Sequence, residues 1–275
     1  MVESLKELEE LCRKKNALYS YTDGREQKPV PKFFYHRFLD KISLVPTWLF
    51  LHTKITPNQV TVLSIVLGIV AAFFYSSSSM GSWIIGFFIL QVIFVLDAVD
   101  GMIARYRKTA NPIGKYFDIM APNVIIPAVF TGITFYVYTL WGSPLAFMLG
   151  FLGIIGFLGR AVSTADKYFL IYQFSLTKND SSIIEAMRGK PKQNVIDGKI
   201  TLKYNLKKIL TFQGASFFFL FAAVFDNYTT PIVIYGFPIN LRALCLILFG
   251  IILPISFIRN MSAVSKLQKK IMKFL

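Results

Sequence analysis

The sequence predicts an all-α integral membrane protein with six transmembrane helices and an N-terminal amphipathic interfacial segment. Composition is the first observation behind this fold class: of 275 residues, 54% are hydrophobic and only 16% are charged, against about 25% charged in an average soluble domain. The second is length, because several apolar runs reach the roughly 20 residues that a helix needs to cross a bilayer. The third is the alternation of uncharged and basic connections between those runs.

The N-terminal residues 1–54 are predicted to lie at the cytoplasmic membrane surface. Leucines at positions 5, 8 and 11 recur at helical spacing between charges, which indicates a short amphipathic helix. From Pro31 to Lys54 aromatic and basic residues interleave, which favours a helix in the interface plane over ordinary packing. No cleavable signal is expected, because the first apolar run of spanning length begins near Gln59.

A six-helix membrane domain is predicted over residues 55–260. Its spans are placed at Gln59–Tyr75, Trp83–Ala104, Tyr116–Leu140, Leu145–Val162, Leu210–Phe225 and Leu241–Ile258. A polar and basic loop at about 167–208 separates the fourth span from the fifth, and a basic tail follows at 261–275. Along the fourth span, glycines recur at 150, 153, 156 and 159, a pattern that predicts close helix packing.

Charge orients the chain and excludes other classes of protein. The formal net charge is +15, and the basic loops are expected to face the cytoplasm, which places both termini and any site on those loops there. Because the charge flanks membrane spans, anionic lipid or a phosphate-bearing substrate is expected as its partner, and nucleic acid is not. Cys12 and Cys245 are the only cysteines, which is too few for a disulfide framework or a thiolate metal site.

Three aspartates form the strongest chemical signal. The second span ends in Asp97, Asp100, Gly101, Ala104 and Arg105, and the third begins with Gly114 and Asp118. Spacings of three and four place Asp97, Asp100, Gly101 and Ala104 on one helix face, and Gly114 and Asp118 on one face of the next helix. Antiparallel pairing of the two helices would bring the three carboxylates together near the cytoplasmic interface. With no Cys or His on these faces, such oxygen ligands favour Mg²⁺ or Mn²⁺.

The neighbouring residues suit a phosphate-bearing substrate. Gly101, Ala104 and Gly114 are small where a nucleotide would approach the backbone, and the Arg105 guanidinium can hold phosphate oxygens. The alternative is a set of intramembrane ion pairs between the aspartates and nearby arginines, which would stabilise the bundle or line a transport path.

The run from Asp97 to Asp118 resembles the signature of the CDP-alcohol phosphotransferase (phosphatidyltransferase) family, DxxDGxxAR followed after eight residues by GxxxDxxxD. The segment Thr56, Pro57, Asn58 and Thr61 is similar to the start of that family's membrane domain. The resemblance implies a homodimer with cytoplasm-facing cavities and transfer of a phosphoalcohol group from a CDP-alcohol, in phospholipid biosynthesis. It implies metal ligation by Asp97, Asp100 and Asp118, a catalytic role for Asp118 and Arg105, and CDP binding by Asn58, Thr61, Asp100, Gly101, Ala104, Arg105 and Gly114.

The sequence departs from that signature at Pro122, where the family pattern has a fourth Asp, the usual general base. Three interpretations follow: an active enzyme with another base or with an acceptor that carries its own basic phosphate, an impaired relative that binds nucleotide and metal without turnover, or a locally altered helix register. Asn123 is adjacent but is not a useful base. Because proline lacks an N–H, a kink near Asp118 is also expected.

Acceptor binding has weaker candidates. Arg160, at the end of the fourth span, and Lys115 are placed to meet an anionic acceptor such as a sugar phosphate. Their alternative role is anchoring of the cytoplasmic side. A small-solute transporter, which would lack cytidine specificity, is the third functional hypothesis.

Overall fold

The computed structural model describes residues 34–109, 112–178, 195–196, 199–200, 212–226 and 228–272. In chain order the helices and strands are α1 Phe34–Ile42, α2 Leu44–Leu51, α3 Pro57–Tyr75, α4 Met80–Tyr106, α5 Pro112–Trp141, α6 Leu145–Lys178, β1 Val195–Ile196, β2 Lys199–Ile200, α7 Phe212–Phe225, β3 Ile232–Ile234, β4 Phe237–Ile239 and α8 Leu241–Met272. The amphipathic helix predicted near the N-terminus lies outside the described residues.

Five of the described helices, α3, α4, α5, α6 and α8, are long and apolar enough to cross a membrane. Each contains one of the predicted spans. The fifth predicted span corresponds to α7, which has 14 described residues and is shorter than the roughly 20 needed to cross the hydrocarbon. The count of six spans therefore stays a prediction.

Two short hairpins amend the all-α prediction. Strands β1 and β2 pair antiparallel, as do β3 and β4. The second hairpin turns at Tyr235 and Gly236, whose φ angles of 50° and 82° are typical of the two-residue type I′ turn. The sequence by itself indicates no regular structure in this uncharged stretch, because its three-residue strands are too short for a periodic pattern to show.

Two helices extend well beyond their predicted spans. Helix α6 continues to Lys178, so the first part of the expected 167–208 loop is helical. Helix α8 continues to Met272, so most of the expected tail is helical too. The hydrophobic window that locates a span ends where polar residues begin, whereas backbone hydrogen bonding continues until helix propensity fails.

The described residues fall into two compact units. The first comprises residues 34–71, 84–126 and 194–217, and the second comprises 72–83, 127–193 and 218–272, in so far as the structure describes them. The candidate site lies entirely in the first unit. Its apolar core contains Val60 from α3 and Leu96, Val99 and Ile103 from α4, with Phe50, Leu51 and Ile55 packed against it.

Helices α1 and α2 of the first unit have two different sides. Phe38, Ile42, Val45 and Leu49 are exposed at spacings of three and four, which places them on one stripe. Ser43 and Thr47 are buried, and the Thr47 hydroxyl lies 3.5 Å from the Met102 sulfur of α4. This arrangement supports an interfacial position for α1 and α2, which stays a prediction.

Contacts between α6 and α8 in the second unit confirm the packing role predicted for the glycines of α6. A Cβ at Gly153 would lie 3.5 Å from the Gly250 Cα, in ordinary contact with α8. A Cβ at Gly156 would collide with the backbone of Leu253 and Pro254, and one at Gly159 would meet the Phe257 ring at 2.8 Å. The small face of α6 therefore lets α8 approach closely.

A buried ion pair in the second unit links the end of α7 to the start of α8. Asp226, after α7, bonds through Oδ2 with Nε of Arg242, and its Oδ1 accepts from the Leu241 amide at 2.7 Å. Arg242 also donates to the Ser78 carbonyl at 2.8 Å and lies 4.5 Å above the centre of the Tyr136 ring. The pair thus connects the start of α8 with the α3–α4 turn and with α5.

Candidate active site

Helix α3 begins with a capping box made by Thr56 and Gln59. The Thr56 amide donates to the Gln59 side-chain oxygen at 2.9 Å, and the Gln59 amide donates to Thr56 Oγ1 at 3.4 Å. These bonds satisfy N–H groups that a helix start leaves without intrahelical partners. Pro57 occupies the first helical position, where no N–H is needed. Local sequence therefore fixes where Asn58 and Thr61 lie on the first two turns.

Thr61 connects this helix start to the DxxDG motif. Its hydroxyl donates to Asp100 Oδ2 at 2.6 Å, and both side chains are buried. A hydroxyl bonded to a carboxylate makes one of the stronger hydrogen bonds in proteins. Burying a carboxylate without such a partner would be costly, so Thr61 helps to hold Asp100 in place.

Helix α4 separates its apolar and polar residues around the axis. At about 100° per residue, Leu96, Val99, Met102 and Ile103 occupy one side and pack into the core of the first unit. The other side carries Asp97, Asp100, Gly101, Ala104 and Arg105. The predicted alignment of Asp97, Asp100, Gly101 and Ala104 on one face of a continuous helix is present.

Gly101 leaves room for the side chain of Arg105. A Cβ at position 101 would lie 2.9 Å from Arg105 Nη1 and 3.5 Å from its Cζ. The guanidinium is therefore folded back over the glycine, four residues earlier on the helix. The absence of a side chain at Gly101 therefore makes space for the half-buried Arg105 guanidinium.

The charges of two of the three aspartates act on the third. Both Asp97 and Asp118 act on the Asp100 carboxylate, so the motif helix and α5 concentrate negative charge in one region. Asp100 is buried, whereas Asp97 and Asp118 are exposed and Gly114 is half-buried. Among the described residues, no three His, Cys, Asp or Glu side chains are arranged to hold a metal. A three-carboxylate metal site stays a prediction.

Pro122 lies within an uninterrupted helix, because α5 runs from Pro112 to Trp141. The helix continues through Pro122, and the kink expected near Asp118 stays a prediction. Pro122 is exposed, and Asn123 is half-buried. Proline supplies no N–H to the Asp118 carbonyl one turn earlier, and it has no group that can accept a proton.

The acceptor candidates receive less structural support. Arg160 is exposed and belongs to the second unit. Its carbonyl oxygen accepts hydrogen bonds from Ser163, Thr164 and, at 3.4 Å, from Asn260 of α8. The side chain of Lys115 lies outside what the structure describes. A role in acceptor binding therefore stays a prediction for both.

Two residues, one within the motif and one just after it, make contacts that the sequence did not predict. Met102 contacts the hydroxyls of Ser43 and Thr47, and Arg107 donates to backbone carbonyls near the end of α2. The sequence suggested Arg107 as an ion-pair partner of the aspartates in the alternative interpretation, and it suggested no role for Met102. A sequence carries no signal for such contacts, because they depend on a partner more than 50 residues away.

Comparison with known proteins identifies the domain that contains this site. Residues 54–190, about half of the chain, match the family model of the CDP-alcohol phosphatidyltransferases. This domain belongs to the CDP-alcohol phosphatidyltransferase family. The CDP-alcohol phosphatidyltransferase domain includes α3, α4, α5 and α6 and therefore every residue of the candidate site.

The proteins similar to the chain include a curated relative and a solved structure. One is the "Bifunctional IPC transferase and DIPP synthase" of Thermococcus kodakarensis, which is 22% identical over 182 residues. That alignment covers 66% of this chain but only 39% of the relative, so the chain spans well under half of that protein. The other is the crystal structure of phosphatidylinositol phosphate synthase from Mycobacterium tuberculosis with CDP-DAG bound. It is 16% identical, with a TM-score of 0.52, and the match covers 83% of this chain and 94% of that one. The second likeness shows a shared membrane fold.

Proposed function

We propose that this protein transfers a phosphoalcohol group of the phosphatidyl type from a CDP-alcohol to an acceptor alcohol, with release of CMP, in phospholipid biosynthesis. The observation that carries the proposal is the 2.6 Å hydrogen bond between Thr61 and Asp100. It joins the start of α3 to the DxxDG motif, and these are the two segments in which the sequence resembles the family. Family membership of residues 54–190 supports the same conclusion.

Carboxylate oxygens are the type of ligand that a hard divalent cation such as Mg²⁺ binds. Asp97 and Asp118 act on Asp100 as like charges, and a bound cation would relieve that repulsion. Asp97, Asp100 and Asp118 would hold Mg²⁺ or Mn²⁺, which would supply Lewis-acid polarisation of the phosphoryl oxygens. Arg105, whose guanidinium lies over Gly101, would bind a phosphate oxygen and offset the charge that develops during transfer.

The nucleotide would bind where small residues meet the start of α3. Asn58 and Thr61 on the first turns of that helix would contact the nucleotide, and the small Gly101, Ala104 and Gly114 would let it approach the backbone. In the reaction the acceptor hydroxyl oxygen forms a bond to the phosphorus attached to the donor alcohol. The bond from that phosphorus to the oxygen of CMP breaks, and CMP leaves as an anion.

The proton of the acceptor hydroxyl needs a destination other than residue 122. Pro122 cannot take it, so a basic phosphate on the acceptor or solvent is proposed to receive it. The loss of a positioned base commonly lowers a rate by about 10²- to 10⁴-fold, and slow turnover is expected. Asp118 would contribute to catalysis through its carboxylate near the reacting phosphate.

The donor is proposed to resemble CDP-diacylglycerol. The Mycobacterium tuberculosis structure of similar fold holds CDP-DAG, and the apolar helices place the site in a lipid environment. We further propose six spans, with α7 as the fifth, a homodimer, and a cytoplasmic orientation of the site and both termini. The division into an interfacial segment at 1–54, a membrane domain at 55–260 and a basic tail at 261–275 is part of this proposal.

The test is CMP release from CDP-diacylglycerol by purified protein in the presence of Mg²⁺ or Mn²⁺ and a mixture of acceptor alcohols, with and without EDTA. Asp100→Asn is the matched control, because it keeps the size of the side chain and removes its charge. Metal-dependent release that disappears in Asp100→Asn is expected. Cytidine-independent transport of a small solute, with no CMP release or CMP binding, would overturn the proposal.

The second candidate function is binding of the CDP-alcohol, or of CMP, together with metal but without turnover. Pro122 in place of the family's general-base Asp is the observation that favours it. This alternative predicts CMP binding that depends on Asp100 and no CMP release, even in Pro122→Asp. Recovery of fast release in Pro122→Asp would instead show that the rest of the catalytic site is intact.

A further inference from the structure

Arg107 lies just beyond the end of the motif helix and contacts a different part of the chain from Arg105. Its Nη1 donates to the Ile55 carbonyl, while its Nη2 donates to the carbonyls of Thr53 at 2.6 Å and Phe50 at 3.1 Å. These acceptors belong to the last turn of α2 and to the link that leads into α3. The guanidinium therefore donates its hydrogen bonds to backbone oxygens 52 to 57 residues earlier in the chain.

The carbonyls at the end of a helix carry its negative partial charge, and the Phe50 carbonyl also accepts from the Thr53 amide at 3.1 Å and from the Thr53 hydroxyl at 2.8 Å. A guanidinium suits such a cluster, because it presents five donors in a planar fork and stays charged. Lysine would offer three donors from one point and would not reach the same carbonyls together. Arg107 therefore fastens the end of α2 to the end of α4.

The fastened link is short and leads directly to the site. Only the residues at 52–56 separate α2 from α3, and the last of them, Thr56, caps α3. Thr61 follows one turn later and donates to Asp100. The chain from Thr53 to Thr61 is therefore attached to α4 at two places, by Arg107 at one end and by Asp100 at the other.

We infer that Arg107 is a positioning residue that holds the α2–α3 link against the end of the motif helix and thereby sets the Thr61–Asp100 contact. This inference rests on the proposed function and extends it to a residue that contacts protein backbone rather than substrate. Misplacement of reacting groups by about 1 Å can cost about 100-fold in rate. Loss of Arg107 is therefore expected to lower kcat/KM by about 10- to 100-fold.

The test is a double-mutant cycle with Arg107→Gln and Thr61→Val, read as kcat/KM for CMP release. If Arg107 acts through Thr61, the double variant loses little more activity than the worse single variant, because the contact is already absent. Lys108→Gln is the matched control: it removes the same charge from the neighbouring exposed side chain and should leave activity unchanged. Multiplied losses would show that Arg107 acts independently of Thr61 and would overturn the inference, as would full activity in Arg107→Gln.

Hydrogen–deuterium exchange gives a readout that does not need turnover. In Arg107→Gln, amide exchange is expected to accelerate in peptides that cover residues 50–61 and to stay unchanged in peptides from the middle of α4. Unchanged exchange at 50–61 would refute the tether even if the protein proved inactive. If the wild-type protein releases no CMP, faster exchange at 50–61 in Arg107→Gln would still support the tether, and only the proposed transferase activity would be contradicted. If Arg107→Gln does not fold, Arg107→Lys, which keeps the charge but not the fork, replaces it in both experiments.

Discussion

The Thr61 hydroxyl donates a 2.6 Å hydrogen bond to Asp100 Oδ2, across 39 residues of sequence and between two helices. Both side chains are buried among apolar residues of the first unit. The bond fixes one oxygen of the central motif carboxylate.

Replacing Thr61 by Val keeps the shape of the side chain and removes the donor. Hydrogen bonds to charged groups contribute about 1.5 to 3 kcal/mol, so kcat/KM for CMP release should fall by about 10- to 100-fold. Thr61→Ser retains the hydroxyl and should keep most of the activity. Equal activity in the Val and Ser variants would show that the bond does not serve the site.

Gly101→Ala should displace the Arg105 guanidinium, because the new Cβ would lie 2.9 Å from Nη1. The contact is with the end of a flexible side chain, and alanine gains about 1 kcal/mol of helix propensity over glycine. We therefore expect unchanged or increased thermal stability with at least about a tenfold loss of activity, since one charge-assisted phosphate contact is lost.

Gly81→Ala is the matched control on the same helix. A Cβ there would meet only Ser79 Oγ, at 3.7 Å, so activity should not change. A Gly101→Ala protein as active as Gly81→Ala would mean that Arg105 works equally well from another position.

Gly156→Ala should destabilise the protein, whereas Gly153→Ala should not. The Cβ at 156 would collide with backbone atoms of Leu253 and Pro254, while the Cβ at 153 would make a 3.5 Å contact. Overpacking that forces backbone to shift costs about 1 to 3 kcal/mol. Thermal unfolding in detergent should give a lower midpoint for Gly156→Ala alone. Similar midpoints for the two variants would contradict the close approach of α6 and α8.

Removing one partner of the Asp226–Arg242 ion pair should be more harmful than removing both. The side chains are 1% and 8% exposed, and an unpaired buried charge costs about 3 to 5 kcal/mol. Asp226→Leu alone is therefore expected to unfold at a clearly lower temperature than the wild type. The double variant Asp226→Leu/Arg242→Leu should recover part of that loss. A double variant less stable than either single variant would show that the pair itself is strongly stabilising.

Sequence alone indicated the class of protein and the chemistry of the candidate site. Run length and composition predicted the helices later found at α3, α4, α5, α6 and α8, because a membrane helix must satisfy its backbone internally and cover itself with apolar side chains. Spacing placed Asp97, Asp100, Gly101 and Ala104 on one face of α4. These properties depend on residues that are close together in the sequence.

Tertiary structure decided what each of these residues contacts. It paired Asp100 with Thr61, directed Arg105 over Gly101 and Arg107 toward the carbonyls after α2, and distinguished Gly156 from Gly153 within one periodic stripe. The physical reason is that such contacts depend on the register and rotation of helices that are distant in the chain. Local propensity and hydropathy are the same for any register, so only packing between helices selects one.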